Sequence, residues 1–124
     1  MSQGDMFSLF VQGIRRLDTN VTDRQVDQFL RYRQELLDWN TRFNLTAITD
    51  PDEILFKHFL DSVSLLTVYD KPQARILDIG AGAGFPGLPL KLLRPQWRVV
   101  LLEATGKKVT FLQHVIETLQ LQGI

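Results

Sequence analysis

Eight residues, Gly80-Ala81-Gly82-Ala83-Gly84-Phe85-Pro86-Gly87, constrain this chain more than any other stretch. Four of the eight glycines in the sequence fall here, so the demand for backbone freedom is concentrated at one turn. Glycine adopts positive φ at little cost and lets a ligand approach with no Cβ in the way. On the N-terminal side, Arg75 to Ile79 reads as a short strand ending in Asp78-Ile79. On the C-terminal side, Leu88 to Leu93 reads as a short helix stopped by Arg94-Pro95. Arg98 to Leu102 then reads as a second strand, β-branched and apolar, ending at Glu103. Strand, glycine turn, helix, and a second strand ending in an acid make the nucleotide-binding half of a doubly wound α/β fold. In such sheets the ligand lies outside the carboxyl ends of the strands. A carboxylate at the tip of the second strand can accept hydrogen bonds from vicinal ribose hydroxyls. Gly80 and Glu103 stand close to the separation of ~20 residues expected for that pairing.

Three nucleotide classes compete for the turn. A P-loop is excluded, because no Gly-Lys-Ser/Thr follows it. A dinucleotide fingerprint fits in one register, Gly82-x-Gly84-x-x-Gly87, a short pattern of low specificity. In that register Pro86 removes a backbone donor that a pyrophosphate would use. The strand ends at Ile79, however, so the turn begins at Gly80, and Asp78-x-Gly80-x-Gly82-x-Gly84 is the better register. That form resembles the first motif of S-adenosyl-L-methionine-dependent methyltransferases. A turn that only packs tightly, with no ligand, is the plain alternative.

The segment before the turn is helical in pattern. Phe7, Phe10, Val11, Ile14 and Leu17 recur at three- and four-residue steps, predicting one buried helical stripe. Thr22 with Gln25 forms a capping-box start for a second helix, whose apolar face is Val26, Phe29, Leu30, Leu36 and Leu37. Asn40 to Thr49 reads as a loop. Asp50-Pro51 opens a third helix, with Ile54, Leu55, Phe59, Leu65 and Leu66 as its core face. Arg15, Arg16, Arg24, Arg31, Arg33 and Arg42 read as solvated helix faces. A last helix spans Lys107 to Gln120, with Val109, Leu112, Val115, Ile116 and Leu119 on one face and Gly123 as its C-terminal glycine. The expected organisation is a three-helix module over residues 1–70, then a β-α-β-α unit over residues 71–124.

Composition removes several function classes. With no cysteine, disulfides and thiolate metal sites are out, and His58 and His114 stand in no metal-ligand spacing. The N-terminus, MSQGDMFSLF, lacks the basic and apolar regions of a secretory signal. No apolar run approaches the ~20 residues of a membrane span, so a cytoplasmic location is expected. Fourteen basic residues balance fourteen acidic ones. Any nucleic-acid contact therefore needs a local patch or basic residues outside these 124.

Several segments together resemble a known family. They are Asn44-Leu45-Thr46, His58-Phe59-Leu60-Asp61-Ser62, the stretch from Asp78 to Gly87, Leu101-Leu102-Glu103, Lys107-Lys108 and Phe111-Leu112. In this order and spacing they are similar to the glucose-inhibited division protein B family, the guanine-N7 methyltransferases of small-subunit (16S) ribosomal RNA. The resemblance implies a Rossmann-like methyltransferase domain preceded by a helical module, with S-adenosyl-L-methionine as cofactor and 16S ribosomal RNA as partner. It implies cofactor contacts from Asp78, Gly80, Gly82, Gly84 and Phe85, and from Glu103, Ala104 and Thr105. It also brings Asn44, His58 and Asp61 near the cleft, although His58 reads equally well as a satisfied histidine on the inner face of its helix. Lys107 and Lys108 either touch RNA phosphate or form a solvated helix end. Guanine N7 carries a lone pair and no proton at neutral pH, so the reaction asks for positioning and no general base. The lack of a nucleophile-base pair, a triad or a metal cluster fits that chemistry. Two other readings stay open: a nicotinamide-cofactor half-domain and a non-catalytic interaction module. The family pattern continues past Ile124 with further strands and with acidic and arginine cofactor contacts. These residues alone are therefore expected to bind cofactor weakly, to leave RNA unmethylated and to self-associate.

Overall fold

The computed structural model describes residues 3–124; Met1 and Ser2, part of the N-terminal stretch read above, lie outside it. Helix α1 (Gln3–Leu17) buries Phe10 and Ile14, the centre of the expected stripe. Helix α2 (Asp23–Asn40) starts at the capping box. The Gln25 amide donates to Thr22 Oγ1 at 3.2 Å, and Gln25 Oε1 accepts from the Thr22 amide at 2.8 Å. Its fully buried stripe is Phe29, Tyr32, Arg33 and Leu36, while Val26, Leu30 and Leu37 are half-buried.

Arg33 thus corrects the reading of the arginines. The other five are exposed, but the Arg33 guanidinium lies 5.4 Å from the Phe7 ring centroid. It also donates to the Pro51 carbonyl at 3.3 Å and approaches Asp52 Oδ1 at 4.0 Å. A planar guanidinium can stack on an aromatic face and keep donors for its partners, so this charge is accommodated under α1.

The third helical run departs from a plain α-helix. Asp50 caps it through bonds from the Asp52 and Glu53 amides at 2.8 and 3.3 Å. After α3 (Pro51–Glu53) the helix widens into a π-helical stretch, Ile54–Leu60. It then tightens through α4 (Asp61–Val63) into a 3-10 turn, Ser64–Thr67. The wider winding turns Ile54, Leu55 and Phe59 all into the core. Leu66 is buried as expected, with Val63 beside it, but Leu65 is exposed and belongs to the surface.

Strands β1 (Arg75–Ile79) and β2 (Arg98–Leu102) form a two-stranded parallel sheet, with Asp78 opposite Leu101 and Ile79 opposite Leu102. The link between parallel strands must cross over, and α5 (Gly87–Leu93), buried at every residue, makes the crossing. Helix α6 (Gly106–Thr118) packs Phe111, Leu112 and Val115 inward. Its end differs from expectation. Left-handed Gln120 (φ 56°) follows the cap, and the Gln120 and Leu121 amides donate back to Glu117 and Ile116 at 3.1 and 3.0 Å. Gly123 is not the cap; it turns the chain so that its carbonyl accepts from the Val99 amide at 2.9 Å, against β2.

One apolar core joins α1, α2 and the third helical run to the α/β part, through Phe10, Phe29, Phe59, Tyr32 and Phe111. A polar tie crosses the same join. Arg94 bonds Asp70 bidentately at 2.8 and 2.7 Å and Asp18 at 2.6 Å. The face of the sheet turned away from the helices leaves Leu77, Ile79, Val100 and Leu102 more than half exposed. Among the described residues no helix is long and apolar enough to cross a membrane.

Candidate functional site

The carboxyl ends of β1 and β2 meet at the glycine turn. The Gly80 and Ala81 amides both donate to the Leu102 carbonyl, at 2.8 and 3.1 Å. The turn therefore starts directly over the end of β2, one residue before Glu103. Glu103 answers with its side chain: Oε1 accepts from the Gly82 amide at 2.8 Å and Oε2 from the Thr105 amide at 2.7 Å. These two backbone donors hold its carboxyl below the usual carboxylate range, with Lys108 adding a smaller pull. The group is ionised at neutral pH. A carboxylate has about four acceptor positions, so each oxygen keeps capacity for a further donor.

The glycines divide into two kinds. A Cβ built on Gly80 or Gly82 would meet nothing within 4 Å. The turn is open on that side, and both residues have positive φ, 72° and 59°. A Cβ on Gly84 (φ 111°) would come within 2.5 Å of the Tyr32 hydroxyl and 3.1 Å of Leu88, and one on Gly87 within 2.6 Å of Leu101. The first pair borders free space, while the second is wedged into protein.

Behind the turn, two polar groups brace it. Tyr32 donates its hydroxyl to the Ala83 carbonyl at 2.5 Å. Burial, and secondly the Asp78 charge, raise the Tyr32 phenol well above 10, so it stays a donor. Asp78, itself nearly buried, accepts from the Gly87 amide at 2.9 Å. Burial raises its carboxyl above the ordinary value, and the bond from Gly87 offsets part of this. The donors at the start of α5 are all committed: Gly87 to Asp78, Leu88 to the Gly84 carbonyl at 2.7 Å, and Leu90 to the Pro86 carbonyl at 3.2 Å, while Pro86 and Pro89 have none. A pyrophosphate would find no free N–H at this helix start.

A second group of expected residues gathers at Phe85. The His58 imidazole stacks on the Phe85 ring, centroids 4.2 Å apart and planes within 6°. Thr46 Oγ1 holds His58 Nε2 at 3.0 Å. Burial lowers the His58 pKa from its ordinary value, the nearby Asp61 charge pulling the other way, so the ring is neutral at pH 7. His58, Phe85, Pro86, Lys57, Asp61, Ser62, Ser64 and Leu65 line an open cleft of about 280 Å³.

Asn44 is exposed and makes no side-chain hydrogen bond among the described residues. Its neighbour Thr46 is the one that reaches His58, in a loop held by Asn40 Oδ1, which accepts from the Leu45 and Thr46 amides at 2.8 and 3.1 Å. Ala104 is exposed between Glu103 and Thr105. Lys107 lies 5.2 Å from the Phe43 ring centroid, and Lys108 stands within electrostatic reach of Glu103. Tyr32, Thr46, Asn40 and Gly87 were not singled out from the sequence as site residues. For Tyr32 the available signal was a hydroxyl lying in the apolar stripe of α2. Among the described residues no three His, Asp or Glu side chains gather around a common point.

Residues 25–124 match the GidB family, described as rRNA small subunit methyltransferase G. The chain is 54% identical over 101 residues to the "Ribosomal RNA small subunit methyltransferase G" of Roseiflexus sp. (strain RS-1), covering 82% of this chain and 43% of that protein. The protein of the same name from Dehalococcoides mccartyi (strain ATCC BAA-2100) is 49% identical over 114 residues, 92% of this chain and 48% of the relative. The one from Acetivibrio thermocellus is 41% identical over 116 residues, 94% and 48%. The chain spans about half the length of the curated relatives it matches. The stacked His58–Phe85 pair and the glycine turn latched by Glu103 lie within the matched residues, and the chain belongs to the family of small-subunit ribosomal RNA methyltransferase G.

Proposed function

We propose that these residues form the S-adenosyl-L-methionine-binding part of a cytoplasmic enzyme that methylates N7 of a guanine in 16S ribosomal RNA. The observation that carries the reading is the pairing of Glu103 with the open side of the glycine turn. There an ionised acceptor and an unobstructed backbone meet at the carboxyl ends of two parallel strands, where a doubly wound, Rossmann-like sheet binds its nucleoside. The cofactor fits this donor set. Glu103 accepts from the ribose hydroxyls, Gly80 and Gly82 leave room for the ligand, and the exposed backbone at Ala104 and Thr105 borders it. Asp78, Gly84 and Tyr32 hold the turn in shape from behind. The committed donors at the start of α5 argue against a dinucleotide, whose pyrophosphate needs them.

When bound, S-adenosyl-L-methionine supplies an electrophilic methyl group, which guanine N7 can accept through its lone pair without a general base. The chain's own contribution is then placement and exclusion of water. The apolar wall of Phe85, Pro86 and Leu65 suits the second task. The helices of residues 3–70 act as a support packed on the α/β part, and the RNA surface is shared with residues outside this chain, in keeping with its zero net charge. The unpaired edge of β1, together with the uncovered apolar sheet face, makes the isolated chain self-associate. Sedimentation should show oligomers that Leu77→Lys disperses.

Isothermal calorimetry with S-adenosylhomocysteine and with NAD tests the cofactor assignment. Binding of S-adenosylhomocysteine and no heat from NAD is expected; binding of NAD alone would overturn the reading.

A further inference from the structure

The cleft beside the glycine turn holds a carboxylate that the cofactor reading does not use. Asp61 is exposed on its wall, and its carboxylate makes no hydrogen bond or ion pair among the described residues, although its charge is felt by the His58 ring. The other polar groups of the cleft are committed. Ser62 Oγ donates to the His58 carbonyl at 2.5 Å and Ser64 Oγ to the Asp61 carbonyl at 2.5 Å. Lys57 pairs with Glu53 at 3.0 Å and His58 with Thr46 at 3.0 Å. What remains is the outer face of the His58 ring, stacked on Phe85, with one acceptor-only group beside it.

The wall is rigid. Phe85 is backed by Tyr32 at 5.8 Å, near-parallel, and by Phe59 at 5.9 Å. The His58 ring lies flat on Phe85. Burial keeps that ring neutral, so it presents an aromatic surface with no full charge. An unstacked base has two needs, a flat partner for its face and matched groups for its edge.

We propose that this cleft receives the target base and that Asp61 selects guanine, accepting hydrogen bonds from its N1–H and its exocyclic amino group while the base lies on the outer face of the His58 ring, which Phe85 backs. The proposal rests on the reading of the protein as a guanine methyltransferase. An ionised carboxylate can only accept. The Watson–Crick edge of guanine offers two adjacent donors, whereas adenine sets a lone pair at N1 beside its one amino group. The same carboxylate attracts the first and repels the second. Binding the base by that edge leaves its opposite edge, which carries N7, free to face the glycine turn.

Titrating the full chain with guanosine, inosine and adenosine 5′-monophosphates, followed by NMR shifts of the His58 ring and the Asp61 and Ser62 amides, tests this. The expected affinity order is guanosine, then inosine, which lacks the amino group, then adenosine. The guanosine and adenosine ligands should differ at least tenfold. Asp61→Asn should flatten the order and leave the affinity for S-adenosylhomocysteine unchanged. Equal affinity for the three nucleotides, no shift at His58, or an unchanged guanosine preference in Asp61→Asn would overturn the proposal. The arms separate the two readings. Lost cofactor binding with the guanosine preference kept counts against the cofactor site alone; cofactor binding with no guanosine preference counts against the cleft alone.

Discussion

The two sides of the glycine turn are built on opposite principles. Its inner side is crowded: Gly84 and Gly87 have no room for a methyl group, and Tyr32, Asp78 and Leu101 press against them. Its outer side is empty: Gly80 and Gly82 border free space, and the contact there is a polar latch to Glu103. The same residue type serves packing on one side and access on the other. Substitutions on the two sides should therefore fail differently, the inner ones through stability and the outer ones through ligand binding.

The largest effect belongs to Gly84→Ala. Its Cβ would overlap the Tyr32 hydroxyl and occupy a left-handed backbone position, so a loss of about 3 kcal/mol or more is expected. The urea midpoint should fall steeply. Gly82→Val comes next in consequence but differs in kind. Its side chain meets no protein, so the fold bears only backbone strain of roughly 1–2 kcal/mol. Cofactor affinity should drop below detection by calorimetry. Tyr32→Phe is milder, leaving the buried Ala83 carbonyl without its donor at a cost of about 1–3 kcal/mol, with cofactor affinity little changed. Glu103→Ala should weaken S-adenosylhomocysteine by roughly tenfold or more while moving the urea midpoint least of the four.

The smallest effect is one of pH. The His58 pKa is lowered on folding, so the unfolded chain takes up a proton near pH 6.5 that the folded chain still refuses. Between that pH and the lower folded value, the unfolded state binds more protons. The contribution to stability is complete above about pH 6.5 and is lost as the pH falls through this window. An NMR titration of the His58 ring should place its midpoint below 6.5, and His58→Gln should remove that part of the acid sensitivity.

The outer side was the legible one. Glycines, an acid at a strand end and their spacing are written in single residues, and Gly80, Gly82 and Glu103 meet at the carboxyl ends of the two strands. Helix starts at Thr22 and Asp50 were equally legible, because a cap is a local arrangement. The inner side was not. Tyr32 lies 51 residues from Ala83, and no local pattern tells a hydroxyl which carbonyl it will meet. Nor did periodicity foresee the π-helical stretch Ile54–Leu60, because three- and four-residue spacing describes Leu55 and Phe59 equally well in either winding. Arg33 was misjudged for a related reason: its partners, Phe7 and the start of α3, come from other elements. Leu65 shows the converse, an apolar residue in helical register that the 3-10 turn leaves in the cleft wall.

The division between the two sides is tested most directly by mapping backbone amide shifts as S-adenosylhomocysteine is added to the isotopically labelled chain. The Gly82 and Thr105 amides, which donate to Glu103 in the ligand-free protein, should move most, and those of Gly84 and Gly87 least. Shifts centred on Gly87 and the start of α5, or a titration that leaves Gly82 and Thr105 unmoved, would contradict the account.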